Sequence, residues 1–238
     1  MTTYGQFCPI ALASSVVAER WTPLILRELL LVGSRRFNEI QAGVGAISQS
    51  VLVSRLKELE AAGLVERRRN RAGRGSEYHP TAAALEFEPL LRQFAAWAQR
   101  WLEIREVDCD PAYLMTVVTN LLQVDRLPPD ALVVRFDLLP VVRPYWLILD
   151  RTRPELCFHD PGRDIELVVT ADQEALANVI MGQRRWHEAV SAGAIRMDGN
   201  ETVARRLPEW IGLSSWASYG RLGIAPARAV GEVVAAGA

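Results

Sequence analysis

The sequence predicts an α+β protein in two parts, and three observations carry that expectation. Helix-period apolar spacing fills the first sixty residues and then gives way to two short extended runs around a glycine-containing turn. In the second half, strand-like runs come first and helices second, the order of a layered α+β unit. Half of the 238 residues are hydrophobic and 23% are charged, which supports well-buried cores in a chain longer than one ordinary domain of roughly 100–150 residues.

The net charge of −1 hides an uneven distribution. Residues 1–107 hold 14 basic against 11 acidic side chains, a net of +3, and the remainder holds 13 against 17, a net of −4. Such asymmetry points the first half toward an anionic partner. Three widely spaced cysteines (Cys8, Cys109, Cys157) form no CxxC and no disulfide framework, the pattern of a reducing compartment. The start "MTTYGQFCPIALASS" lacks the positive n-region of a signal peptide, and no run approaches the roughly 20 apolar residues of a membrane span. A cytoplasmic protein is expected.

The elements can be taken in chain order. "CPIALASSVVAER" suits a short buried helix. "TPLILRELLLVG" has Thr22 as N-cap, Pro23 at the first helical position and Gly33 as a stop, with Leu24, Ile25, Leu29 and Val32 spaced to face a core. "SRRFNEIQAGVG" gives a third short helix with Phe37 and Ile40 inward. In "AISQSVLVSRLKELEAAG", Ser48 caps a helix that ends at Gly63, and Leu52, Leu56 and Leu59 share its inner face. Ser50, Val53, Ser54 and Lys57 then share the outer face, which carries fewer charges than an ordinary solvated one. Short hydroxyl and amide side chains such as Gln49, Ser50 and Ser54 let a helix approach base edges, and helix N-terminal amides favour phosphate.

"LVERRR" and "SEYHPT" come next as two extended pieces joined by "NRAGRG". Five arginines (Arg67, Arg68, Arg69, Arg71, Arg74) crowd eight positions here. Alone, such a cluster is an ordinary solvated face. Directly after a helix of that kind, it reads as a wing that grips phosphate or the adjacent minor groove while the helix enters the major groove. The expected DNA contacts are therefore Ser48, Gln49, Ser50, Ser54, Arg55 and Lys57 on the helix, Arg36 ahead of it, and the five wing arginines. Beyond the wing, "TAAALEFEPLLRQFAAWAQRWLEIRE" carries a long apolar stripe through Leu85, Leu90, Leu91, Phe94, Trp97, Trp101 and Ile104, with Pro89 expected to kink or split it. The stripe is wider than a small wing domain needs, and with the apolar first helix it suits a subunit interface.

Cys8-Pro9, the Trp21 segment, Arg36-Phe37-Asn38-Glu39, Ile47-Ser48-Gln49, the closing "LVERR", and then Tyr78, Thr81, Pro89 and Trp97 give roughly residues 5–105 a specific resemblance. This stretch resembles the HxlR-type winged helix-turn-helix regulators, related to the MarR-like repressors. The family's Leu-Thr before the last helix is Pro80-Thr81 here, and its following Gly is Ala83 or Ala84, departures confined to the wing-to-helix junction. The resemblance implies a homodimer on a palindromic double-stranded operator. As an alternative mode of control it implies oxidant or electrophile sensing through Cys8, since some such regulators carry a sensing cysteine at that position.

"EVDCDPAYL" marks a boundary near residue 108, dividing the chain into domains 1–107 and 108–238. Pro111 starts a helix over "AYLMTVVTNLLQV", after which come the strands "ALVVRFDLL", "YWLILDR", "ELCFHD" and "DIELVVTA". Helices in "DQEALANVIMG" and "RRWHEAV", an extended "AIRMDGN" and a final helix in "ETVARRLPEWIG" complete the set. The pattern over about 110–213 resembles the sterol-carrier-protein-like fold, which implies an apolar tunnel for a lipid-like molecule. Phe136, Trp146, Leu147, Phe158, Met181 and Trp186 are its candidate walls, each also an ordinary core residue.

No GxSxG, GxGxxG or Walker-type loop is present, and His79, His159 and His187 lack metal-ligand spacing. Asp160, Asp164 and Glu166 surround a turn, where acidic residues are ordinary. Neither catalysis, a metal nor a cofactor is expected. The expected function is a dimeric DNA-binding regulator, a repressor, controlled by an apolar effector in the second domain. Two alternatives stand beside it: a thiol sensor acting through Cys8, and a lipid carrier that uses the winged helix for dimerisation.

Overall fold

The computed structural model describes residues 4–70, 75–140 and 143–219. The chain divides into two compact units, Met1–Ala95 and Ala96–Ala238.

The first unit opens with α1 (Pro9–Val17) and α2 (Thr22–Arg27), the latter running on as a single π-helical turn, Glu28–Val32. Then come α3 (Phe37–Val44), α4 (Gln49–Ala61), the antiparallel strands β1 (Val65–Arg69) and β2 (Ser76–Pro80), and α5 (Ala82–Trp101), whose last turns belong to the second unit. Ile25, Leu26, Leu29, Ile40, Leu52, Leu56 and Leu59 are at most 2% exposed and form the core with Val65 and Tyr78. Each such buried aliphatic side chain contributes roughly 1.5–3 kcal/mol relative to exposure, so the inner face of α4 is fixed by packing.

Three expectations change. The first helix buries none of its residues within the chain, and Phe7, Ile10 and Leu12 around it stand open to solvent. Val32 is 64% exposed. A π turn inserts an extra residue into the helical repeat and rotates the positions after it, so Leu29 stays inside while Val32 leaves the core face. Pro89 does not split α5, which is continuous from Ala82 to Trp101.

The second unit contains α6 (Pro111–Asn120), β3 (Leu132–Leu139), β4 (Arg143–Leu149), β5 (Glu155–Cys157), β6 (Ile165–Asp172), α7 (Gln173–Ile180), α8 (Trp186–Ser191), β7 (Ile195–Gly199) and α9 (Glu201–Trp210). The strand order is β5-β4-β3-β6-β7, with β3 and β6 parallel and the other pairs antiparallel. Strand alternation sends Val134, Phe136, Leu138, Tyr145, Leu147 and Leu149 into a core completed by Leu114 and Met115 of α6, Leu176 of α7, and Leu207 and Trp210 of α9. Val133, Trp146 and Ile148 form a separate cluster, as alternation to the opposite sheet face requires.

Candidate nucleic-acid interface

Helix α4 is held by both of its ends. The Ser48 hydroxyl accepts the Val51 amide at 3.4 Å, and Gly63, at φ +71°, turns the chain so that the Leu64 amide reaches the Leu59 carbonyl at 2.9 Å. Leu52, Leu56 and Leu59 face the core, so Ser48, Gln49, Ser50, Val53, Ser54 and Lys57 are exposed along the other side. The Ser48 and Ser50 hydroxyls lie 3.3 Å apart, and the Ser54 hydroxyl donates to Glu58 at 3.0 Å. A hydroxyl in that state still has lone pairs for an incoming donor.

Arg55 departs from the expected DNA contacts. Its guanidinium is engaged by Glu58 and, at 3.1 Å, by Glu19 of the segment after α1, with the side chain only 22% exposed. Its position at the rear of α4 makes it a brace rather than a free cation. Lys57, one turn beyond Ser54, is exposed and forms no ion pair among the described residues.

The hairpin comes directly after α4 in sequence and is tied back to the helices. The Tyr78 amide donates to the Arg35 carbonyl at 2.8 Å, and Arg36 forms an isolated bridge with Glu77. Arg67, Arg68 and Arg69 are all exposed. Arg68 pairs with Glu66 at 2.7 Å, both side chains more than half exposed, and such a pair is worth little and yields readily to a phosphate. Arg67 and Arg69 alternate with it and form no ion pair among the described residues. Arg71 and Arg74 lie outside the described residues. Arg36 is exposed ahead of α3, where the Glu39 carboxylate accepts the backbone amides of Arg36 at 2.9 Å and Arg35 at 3.0 Å. Those amides hold the Glu39 carboxyl below its ordinary range.

A support that sequence reasoning missed sits behind this surface. Glu28 is 3% exposed, and its carboxylate takes two hydrogen bonds from Arg27 (2.7 and 3.0 Å) and one from Ser34 (3.1 Å). Arg27 also donates to the Gly43 carbonyl at 2.6 Å. A Cβ at Gly43 would overlap the Glu28 carboxylate, so a larger residue there would push that carboxylate away from Arg27 and Ser34. The available signal was a charged Arg-Glu step inside the apolar run "LILRELLLV".

The candidate ligand walls of the second unit do not converge. Phe136 and Leu147 are fully buried in the main core, with Met181 and Trp186 packed against it. Trp146 belongs to the opposite sheet face, because neighbours in a strand cannot line one cavity. Phe158 is 42% exposed and meets Tyr145 edge-on at 5.8 Å. Of the six, only Trp186 lines the cavity of about 440 Å³ found between the α7–α8 turn and the end of α9. Cys8 is exposed at the start of α1. Burial, with the acidic neighbours Asp108, Glu174 and Glu106 adding to it, pushes the Cys109 thiol up to about 11, and burial raises Cys157 as well. Among the described residues no cluster of metal-ligating side chains occurs, and no helix is long and apolar enough to cross a membrane.

A capped helix pinned on three leucines, then an anchored arginine hairpin and a long helix, is a winged helix-turn-helix arrangement. Comparison with known proteins agrees: the HxlR-like helix-turn-helix family pattern matches residues 16–106. The uncharacterised HTH-type transcriptional regulator YvaP of Bacillus subtilis (strain 168) is 35% identical over 112 residues, covering 46% of this chain and 96% of its own length. The HTH-type transcriptional regulator YodB of the same organism is 32% identical over 108 residues, covering 44% and 96%. A solved structure described as the redox regulator HypR in its oxidized form shares 29% identity, covering 38% of this chain and 94% of that one, with a TM-score of 0.36. The chain belongs to the HxlR-like helix-turn-helix family.

Proposed function

We propose that the chain is a homodimeric, sequence-specific DNA-binding repressor. Residues 1–107 recognise a palindromic operator, and residues 108–238 form a sterol-carrier-protein-like domain that binds an apolar effector and sets when DNA is released. The observation that carries the DNA reading is the outward face of α4. It is lined by Gln49, Ser50, Ser54 and Lys57, fixed by a buried leucine face, and continued in sequence by Arg67–Arg69. The short side chains suit base edges and the arginines suit phosphates. Dimerisation is assigned to large apolar side chains that are half or more exposed, or nearly so: Phe7 and Ile10 at α1 and Leu90, Phe94 and Trp97 on α5.

Selection of duplexes from a random-sequence pool, then fluorescence anisotropy, tests the proposal. Replacing Arg67, Arg68 and Arg69 by Ala weakens binding to every duplex and reduces the slope of log K against log salt by about 0.9 per lost contact. Ser50→Ala alters preference at one base position, by about 1–3 kcal/mol if the contact is a good one. Failure to enrich any duplex would overturn the proposal in favour of a lipid carrier that dimerises through its winged helix.

A second reading rests on Cys8, the one exposed thiol among three. There an oxidant or electrophile modifies Cys8, beside the apolar surface of α1, and alters the dimer. Cys8→Ser then abolishes oxidant response in a reporter strain; an unchanged response removes this reading.

A further inference from the structure

The cavity of about 440 Å³ in the second unit lies where the apolar patterning offered no reason to look. Its walls are apolar, from Ile180 at the end of α7, Trp186 at the start of α8, Pro208 in α9 and Leu213 beyond it. Arg184 and Arg185, in the turn between α7 and α8, also line it, and no carboxylate does among the described residues. Neither guanidinium forms an ion pair among those residues. Arg184 makes one long hydrogen bond, 3.4 Å, to the Glu188 carbonyl, and the Glu188 carboxylate is occupied with the Arg185 backbone amide at 3.0 Å. Trp186 adds an indole N–H that is buried and meets no acceptor among the described residues.

Two cations at the edge of an apolar hollow of ligand size are ill suited to a neutral hydrocarbon and well suited to an amphiphile with an anionic end. We propose that this cavity is the ligand site of the second unit and takes an organic anion, an apolar body ending in a carboxylate, with Arg184 and Arg185 holding the charged end. This deepens the effector reading above and rests on it only for the consequence at DNA. The site is also distinct from the walls expected from sequence, sharing Trp186 alone with them.

The test uses isothermal titration calorimetry on the full chain, with sodium decanoate as the probe and 1-decanol as its uncharged counterpart. Decanoate binds at least about tenfold more tightly than decanol, and the double variant Arg184→Gln/Arg185→Gln erases that preference. Leu213→Trp, at a largely exposed position, fills the hollow and weakens both ligands. Equal affinity for the two probes, no binding of decanoate, or decanoate binding untouched by the arginine substitutions overturns the proposal. Anisotropy of operator DNA in the same solutions separates this idea from the broader one. Arginine-dependent decanoate binding that leaves DNA affinity unchanged supports the site and removes the effector role. A decanol response in DNA affinity that ignores the arginines keeps the effector role and removes the site.

Discussion

Arg55 and Lys57 stand two residues apart on α4 and answer to different partners. Arg55 holds Glu58 and Glu19 inside the first unit, whereas Lys57 is exposed and without an ion pair among the described residues. Arg55→Gln is therefore expected to lower stability by about 1 kcal/mol in urea unfolding, leaving the salt slope of DNA binding unchanged. Lys57→Gln is expected to do the reverse, flattening that slope by about 0.9 at unchanged stability. Lys57 is also the chain's sole lysine, so acylation of side-chain amines reports on one position, and operator DNA should protect it. Glu39 supplies a pH signature at the same scale. The Arg36 and Arg35 amides lower its folded pKa, so its contribution is present above the unfolded carboxylate value of about 4.3 and is lost as pH falls through the folded one. Glu39→Gln should shrink the acid-side loss of stability, measured as urea midpoints against pH; an unaltered acid limb would contradict this assignment.

Among the elements, α3 and the π turn after α2 depend on one close approach. Gly43→Ala forces a methyl onto the Glu28 carboxylate and should cost at least about 2 kcal/mol, while Arg27→Ala, which strips a buried carboxylate of its partner, should cost about 3 kcal/mol. Helix α5 offers a complementary case: Phe94 is 62% exposed, so Phe94→Glu should leave the fold intact and yield a monomer by sedimentation, with operator affinity lost in parallel. The period of Leu52, Leu56 and Leu59, the Ser48 cap and the Gly63 stop were all legible in the sequence, because local spacing and end chemistry determine them. The exit of Val32 was not, since a π turn leaves no signature in apolar spacing. Nor was the bracing of Arg55, whose partner Glu19 is 36 residues away. The pairing of Trp146 and Leu147 as joint cavity walls failed on strand alternation itself, which the sequence did contain.

At the scale of the molecule, the last turns of α5 carry a further consequence. Gln99, near the end of that helix, is 5% exposed; it donates to the Met181 carbonyl at 2.7 Å and accepts from Gln183 at 3.1 Å. Met181 and Gln183 flank Gly182, part of the cavity wall, so the end of α5 that lies within the second unit is hydrogen-bonded to the turn bearing Arg184 and Arg185. A thermodynamic box then links two measurements that share no atoms. Whatever factor decanoate takes from operator affinity, the operator must take from decanoate affinity, and reciprocal titrations should return one number. Gln99→Leu, which removes both hydrogen bonds and keeps the apolar volume, should bring that number toward one while each ligand alone still binds. On the proposed reading, the Gln99 amide is the group through which a ligand of this cavity and an operator would feel one another.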